Sequence, residues 1–243
     1  MTKLSVNLNK IALLRNQRDI GIPSVLESAK VVIDTGAHGV TVHPRPDERH
    51  IRYSDVYELA DMVTVEFNIE GNPFLGRYMD VVGEVKPTQA TLVPDEPGAS
   101  TSDHGWDLAK DKVRLTPIVE KLKEAGIRVS LFMDPDTSGI EMAKELGADR
   151  IELYTEPYAT AFRTGDKLDE TLTRFARGAK AAGDLGLGVN AGHDLNLENL
   201  GRFCAEVPGV LEVSIGHALI ADALEMGLSN AVKEYLKILS QTR

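Results

Sequence analysis

Cysteine is nearly absent from this chain of 243 residues: Cys204 stands alone. A single thiol closes no intrachain disulfide and builds no cysteine-rich metal site. Long apolar runs are missing too, since no stretch approaches the ~20 residues that span a bilayer. The opening segment MTKLSVNLNK has neither the apolar core nor the small-residue cleavage site of a secretory signal. These absences predict a soluble, cytoplasmic protein. Basic residues are outnumbered, 27 Lys and Arg against 37 Asp and Glu, for a net charge of -10. That balance argues against bulk attraction to nucleic acid or to an anionic membrane. Small phosphorylated ligands stay open, because a few Arg, Lys, His and backbone N–H groups hold a phosphate inside an acidic protein.

What the chain does have is alternation. Strand-like runs recur at Leu4–Leu8, Gly39–His43, Thr64–Ile69, Gln89–Val93, Arg128–Met133, Arg150–Tyr154, Gly188–Ala191 and Leu211–Ile215. Several read as near-continuous apolar segments, as strands of a buried parallel sheet do. Amphipathic stretches separate them: Val25–Thr35, Lys110–Ala125, Ser138–Leu146 and Thr171–Leu185, the last three each followed by a glycine. Thr116-Pro117 reads as a cap and first-turn proline that starts or bends the second half of its helix. DTGAHGV, EAGIRV and ELGADRI repeat one phrase of helix end, glycine and next strand. Two polar insertions, Pro94–Asp107 and Thr155–Lys167, read as long loops after the fourth and sixth strands.

Eight consecutive β/α units without a GxGxxG turn favour a closed (β/α)8 TIM barrel with loop and helical insertions over an open doubly wound sheet. The length matches the ~250 residues of one such barrel, so residues 1–243 form a single catalytic domain in this reading.

The strand ends then locate a site. Asn7 and Asn9, His43 and Arg45, Glu70, Glu152, His193, and Gly216-His217 fall at or just past strand C-termini, the rim where barrel enzymes work. The opposite rim is not expected to collect such chemistry. A lone histidine at a barrel edge is most often bonded to backbone, but Arg45 and His50 within seven residues of His43 tell against that. Glu70 closes the run TVEFNIE, where burial tunes a carboxylate as a base. Glu152 sits inside the apolar run RIELY, and a barrel interior has to pair it. In VSIGHALIADAL, Gly216 allows close backbone approach and His217 opens a helix whose N–H groups suit a phosphate.

The ordered strings VNLNKIALLRNQR, VTVHPRPDERHI, EFNIEGN, TLVP, RVSLF, IELYTEPYA, GVNAGHDL and SIGHALIADAL resemble the pyridoxine 5'-phosphate synthase family across nearly the whole chain. The resemblance implies condensation of 3-amino-2-oxopropyl phosphate with 1-deoxy-D-xylulose 5-phosphate, using no metal and no organic cofactor, in a homo-octamer. It implies proton acceptors at His43 and Glu70, a proton donor at His193, and transition-state stabilisation by Glu152. Asn7, Arg18, Gly216 and His217 match contacts to the aminoketone phosphate. Arg45, His50 and Thr101 match contacts to the deoxyxylulose phosphate. Two departures stand out. Many members have Asp-His where this chain has Asn9-Lys10, in a segment that touches the sugar phosphate, and commonly glycine where it has Asp194. Two other readings remain: another phosphosugar barrel enzyme, marked by a Schiff-base lysine at a strand end, and a non-catalytic phosphometabolite-binding barrel.

Overall fold

Each strand of this chain buries both of its faces, and the two faces differ in chemistry. In the computed structural model, which describes residues 1–18, 20–96, 98 and 102–242, eight parallel strands pair in sequence order and the last closes on the first. They are β1 (Lys3–Asn7), β2 (Gly39–Val42), β3 (Glu66–Gly71), β4 (Gln89–Leu92), β5 (Arg128–Met133), β6 (Arg150–Leu153), β7 (Gly188–Ala191) and β8 (Val210–Ile215). Eleven helices are seen among the described residues. These are α1 (Asn9–Asn16), α2 (Val25–Asp34), α3 (Tyr53–Met62), α4 (Tyr78–Val85), α5 (Leu108–Glu124), α6 (Thr137–Glu145), α7 (Glu156–Thr164), α8 (Leu168–Asp184), α9 (Leu200–Glu206), α10 (His217–Met226) and α11 (Leu228–Gln241).

Successive side chains on a strand point to opposite faces. One set, including Leu4, Val6, Val40, Val42, Ile69, Ala90 and Leu92, joins the apolar cluster shared with the helices. The other set is polar and just as buried. Ser5 and Thr41 hydroxyls are 2.7 Å apart, Asn68 donates to Thr41 at 3.4 Å, and Thr91 donates to Asn68 at 3.0 Å. The strands thus alternate where the sequence reads as near-continuous apolar, and the barrel is lined by hydroxyls and amides.

The N-terminal rim of the barrel is also charged, against expectation, but its charges are paired. Lys3 lies 2.5 Å from Glu66, Arg128 pairs with the same carboxylate, and Arg128 donates to Gln89 at 2.8 Å. Burial opposes ionisation of Glu66, yet the hydrogen bonds from Lys3 and Arg128 outweigh it and hold the group at about 2. Arg150 donates to Asn190 at 3.0 Å and faces Glu212 at 3.8 Å. The two rims differ in whether carboxylates have partners.

Two local expectations fail for identifiable reasons. Thr155–Lys167 is no loop, because α7 occupies most of it, with Pro157 in its first turn and Gly165 at φ 74° ending it. Of the two roles expected of Pro117, starting the second half of its helix is the one that fails, since it lies within α5. Leu115, Val119 and Leu122 are buried along one unbroken face of α5, Val113 points to solvent, and the Thr116 hydroxyl bonds back to the Lys112 carbonyl instead of capping. Among the described residues no helix is long and apolar enough to cross a membrane.

Candidate active site

The C-terminal strand ends converge on a cavity of about 260 Å³, walled by Asn7, Asn9, Lys10, His43, Arg45, His50, Ser102, His193, Asp194, Gly216 and His217 among others. Local hydrogen bonds set most of these side chains. α1 begins two residues after β1, which leaves Asn9 and Lys10 at the mouth. Asn7 Oδ1 accepts from the Asn9 N–H at 3.0 Å, and Asn9 Oδ1 accepts from the His43 N–H at 2.9 Å. Asn9 therefore ties β1 to the end of β2.

His50 is fixed from behind. Its carbonyl accepts from Asn16 Nδ2 at 2.8 Å and from the Arg15 guanidinium at 3.1 Å, and Arg15 is itself buried in an ion pair with Asp55. The Ile51 N–H donates to His50 Nδ1 at 2.9 Å, leaving Nε2 for the cavity. Burial, with the charges of Arg45, Lys10 and Arg49, lowers His50 to about 4. It is a neutral imidazole at physiological pH.

On the other side, two glycines let the backbone close in. A Cβ on Gly216 would sit 3.1 Å from the Asn7 Cβ, and one on Gly192 would sit 2.2 Å from the Ser214 carbonyl oxygen. With Gly216 as cap, α10 opens at His217 and turns the unsatisfied N–H groups of its first turn to the cavity side. His193 follows Gly192. Its carbonyl accepts from the Thr155 hydroxyl at 2.8 Å, and its ring meets Phe132 edge-on with centroids 5.3 Å apart.

Glu70 and Glu152 lie behind this wall, 2% and 1% exposed. Glu70 Oε2 accepts from Asn7 Nδ2 at 3.3 Å and lies 3.7 Å from His43 Nδ1. Burial, then the nearby Asp95 charge, pushes Glu70 up to about 8. Neither oxygen of Glu152 has a hydrogen-bond partner among the described residues, and His193 Nδ1 is 3.8 Å away. The expected pairing is met by no hydrogen bond, only by His193 at ion-pair distance; burial, with the charges of Glu70 and Glu212, raises the Glu152 pKa well above the usual range and so favours its neutral form. Burial also lowers the pKa of His43 and of His193, favouring the neutral imidazole in each.

Of the described residues singled out in the sequence, all but Glu70 and Glu152, just behind its wall, and Arg18 line the cavity; Arg18 lies off it, exposed just beyond α1. Thr101 falls outside the described residues. Lys10, whose direction the sequence left open, stands on the wall, where its charge depresses both His50 and His193. The sequence reading missed Asp95, which is buried against Arg45 and His43, and the Arg15–Asn16 support of His50. The position of Asp95 at the start of the polar insertion after β4 was the only available signal. Among the described residues no group of three or more His, Cys, Asp or Glu side chains is arranged to hold a metal ion.

Residues 4–241 match the family model described as pyridoxal phosphate biosynthesis protein PdxJ. The chain belongs to that family. It is 56% identical over 251 residues to the pyridoxine 5'-phosphate synthase of Albidiferax ferrireducens, covering 100% of this chain and 99% of that one. The protein of the same name from Christiangramia forsetii is 54% identical over 239 residues, covering 98% and 100%. A crystal structure of a 4-hydroxy-2-oxoglutarate aldolase superposes with a TM-score of 0.64 at 14% identity, over 97% of this chain and 93% of the other, which shows the shared barrel alone.

Proposed function

We propose that this chain is a pyridoxine 5'-phosphate synthase of vitamin B6 biosynthesis. It joins 3-amino-2-oxopropyl phosphate to 1-deoxy-D-xylulose 5-phosphate and releases pyridoxine 5'-phosphate, phosphate and water. The observation that carries this reading is the layout of one cavity. Lys10, Arg45 and His50 stand on one wall and the Gly216–His217 helix start on another, suiting two phosphates, while His43 with Glu70 and His193 with Glu152 supply proton-transfer groups.

The reaction needs several such groups. The amine attacks a ketone and loses water to give an imine. Later steps remove a C–H proton, eliminate phosphate, add water, close the ring and dehydrate it to the pyridine. Each transfer by a positioned side chain typically contributes ~10²–10⁴-fold. In this reading His43 serves the early condensation, Glu70 the C–H and ring-closure steps, and His193 donates a proton. The aldolase-like alternative needs a Schiff-base lysine at a strand end; Lys10, its candidate, lines the cavity from α1 instead of from a strand, and among the described residues the lysine within a strand is Lys3, at the far rim and paired with Glu66.

Arg18 enters this proposal through assembly. It lies off its own chain's cavity with exposed Leu14, Ile20 and Ile22 nearby in the chain, which supports a homo-oligomer, an octamer by family resemblance, with Arg18 serving a neighbouring subunit. A cytoplasmic location is part of the same reading. The test mixes both phosphates with purified protein and follows product absorbance beside a His193→Ala sample. Binding of both phosphates without pyridoxine 5'-phosphate would instead favour a non-catalytic barrel.

A further inference from the structure

Asp95 is a buried carboxylate at the cavity that the chemistry above does not use. Its Oδ2 lies 2.7 Å from an Arg45 guanidinium nitrogen and 3.4 Å from His43 Nε2. The opposite ring nitrogen, Nδ1, faces Glu70 Oε2 at 3.7 Å. One imidazole thus stands between two carboxyl groups. Asp95 is also held from its backbone side, since Asn72 Nδ2 donates to its carbonyl at 2.9 Å. The loop it starts is therefore anchored where it meets the site.

We propose that Asp95 is a positioning residue for His43, fixing the Nε2–H tautomer so that the Nδ1 lone pair faces Glu70 and proton exchange runs along a Glu70–His43–Asp95 line. Donor counting sets the tautomer. A neutral imidazole has one N–H and one lone pair. The Asp95 carboxylate only accepts, so the N–H belongs on Nε2, and the lone pair is left on Nδ1. Burial of the ring favours the neutral form, reinforced by the charges of Arg45 and Arg49 around it. Burial also keeps a proton on Glu70 near neutral pH, and placed on Oε2 that proton points at Nδ1.

Transfer from Glu70 Oε2 to His43 Nδ1 leaves a Glu70 carboxylate and an imidazolium whose Nε2–H faces Asp95. The reverse transfer restores the start, so no other reactant is needed. When the Nε2–H of that imidazolium passes to a substrate, Glu70, which lies behind the cavity wall, has delivered a proton through the ring, and the reverse sequence returns one to Nε2 and one to Glu70. Arg45 adds a coupling. A substrate phosphate that takes the guanidinium from Asp95 leaves the Asp95 charge facing His43 alone, which favours the imidazolium.

The inference rests on the reading of His43 and Glu70 as the proton-transfer pair, and its test separates the two. In protein labelled with ¹⁵N at histidine, with His43 assigned through His43→Gln, the free enzyme is expected to show Nε2 protonated and Nδ1 bare. Asp95→Ala should mix the tautomers. Asp95→Asn, which still offers an amide oxygen but no charge, should largely keep the tautomer while kcat falls about 10²-fold or more, as losing a group that stabilises an imidazolium does. KM for both phosphates should stay within about threefold of wild type, and Asp95→Glu should recover part of kcat. An unchanged tautomer in Asp95→Ala, or a loss confined to KM for the sugar phosphate, overturns the proposal, since Asp95 then serves only Arg45. The tautomer is read without substrate, so it still decides the role of Asp95 if the wild-type protein makes no pyridoxine 5'-phosphate.

Discussion

His193 Nδ1 lies 3.8 Å from Glu152 Oε1, and burial raises the pKa of the carboxyl it faces, favouring its neutral form. A neutral carboxyl is a hydrogen-bond donor as well as an acceptor. Glutamine preserves that shape and one donor, whereas alanine removes both. Glu152→Gln is therefore expected to keep kcat within about tenfold, and Glu152→Ala to lose about 10²-fold or more, the range of one preorganised donor. Steady-state kinetics of the two variants check this. Equal losses in both would mean that the mobile proton, not the donor, is what Glu152 supplies.

Glu70 makes a prediction about pH. Its pKa near 8 means the base form gains population as pH rises through that value. The substrates' phosphates have second pKa values of about 6 and are fully charged well before that. If Glu70 accepts a proton in a rate-limiting step, kcat/KM rises up to tenfold per unit as pH approaches 8 and then levels. Glu70→Gln removes this limb and should let the imine between the two substrates accumulate. A wild-type profile flat from pH 6.5 to 9 contradicts the role, and so does loss of imine formation itself in Glu70→Gln.

The barrel and most of its rim are legible in the sequence because both follow from period. Glycines after helices and short β-rich runs mark every strand, and β5 and β7 have the expected limits, Arg128–Met133 and Gly188–Ala191. Strand ends carry the polar residues, so His43, Glu70, Glu152 and His193 announce themselves by position. The missed features depend on distance in space. Asp95 is one acid among several in a polar loop, and nothing local shows which one turns inward. Arg15 and Asn16 look like ordinary helix residues until they are seen to hold His50. The unpaired state of Glu152 was also hidden, because whether a buried carboxylate has a partner is a property of neighbouring strands.

The buried acids should also cost stability, in a defined pH window. Glu70 has a native pKa of about 8 against an ordinary value of 4.5. The native state therefore binds its proton more tightly than the unfolded chain does. The stabilising contribution of that proton is complete below 4.5 and is lost as pH rises to about 8. Glu70→Gln, which cannot ionise, should melt close to wild type in acid and higher than wild type above pH 8. A gain on the order of a few kcal/mol corresponds to roughly 5–10 °C for a domain of this size. Calorimetry across that range reads it directly. A gain independent of pH would point to packing and not to ionisation.

Asp194, where the family resemblance implies glycine, holds a conformationally demanding position. Its φ is 51°, in the left-handed region that glycine adopts freely. Its carboxyl stands on the cavity wall with Gly216 and His217, where burial and the Glu156 charge raise its pKa and His217 opposes them. Near a bound phosphate it places like charge beside like charge, a repulsion of about 1 kcal/mol at 4 Å in water and more in a partly dry pocket. Asp194→Gly removes both the backbone strain and the charge, while Asp194→Asn removes the charge alone. Both should lower KM for 3-amino-2-oxopropyl phosphate about 3- to 10-fold with kcat within about twofold, since ~1.4 kcal/mol is tenfold in affinity. Glycine should add thermal stability that asparagine does not. If both variants bind the aminoketone phosphate no better than wild type, the carboxylate points away from the phosphate, and the departure from glycine is a matter of backbone only.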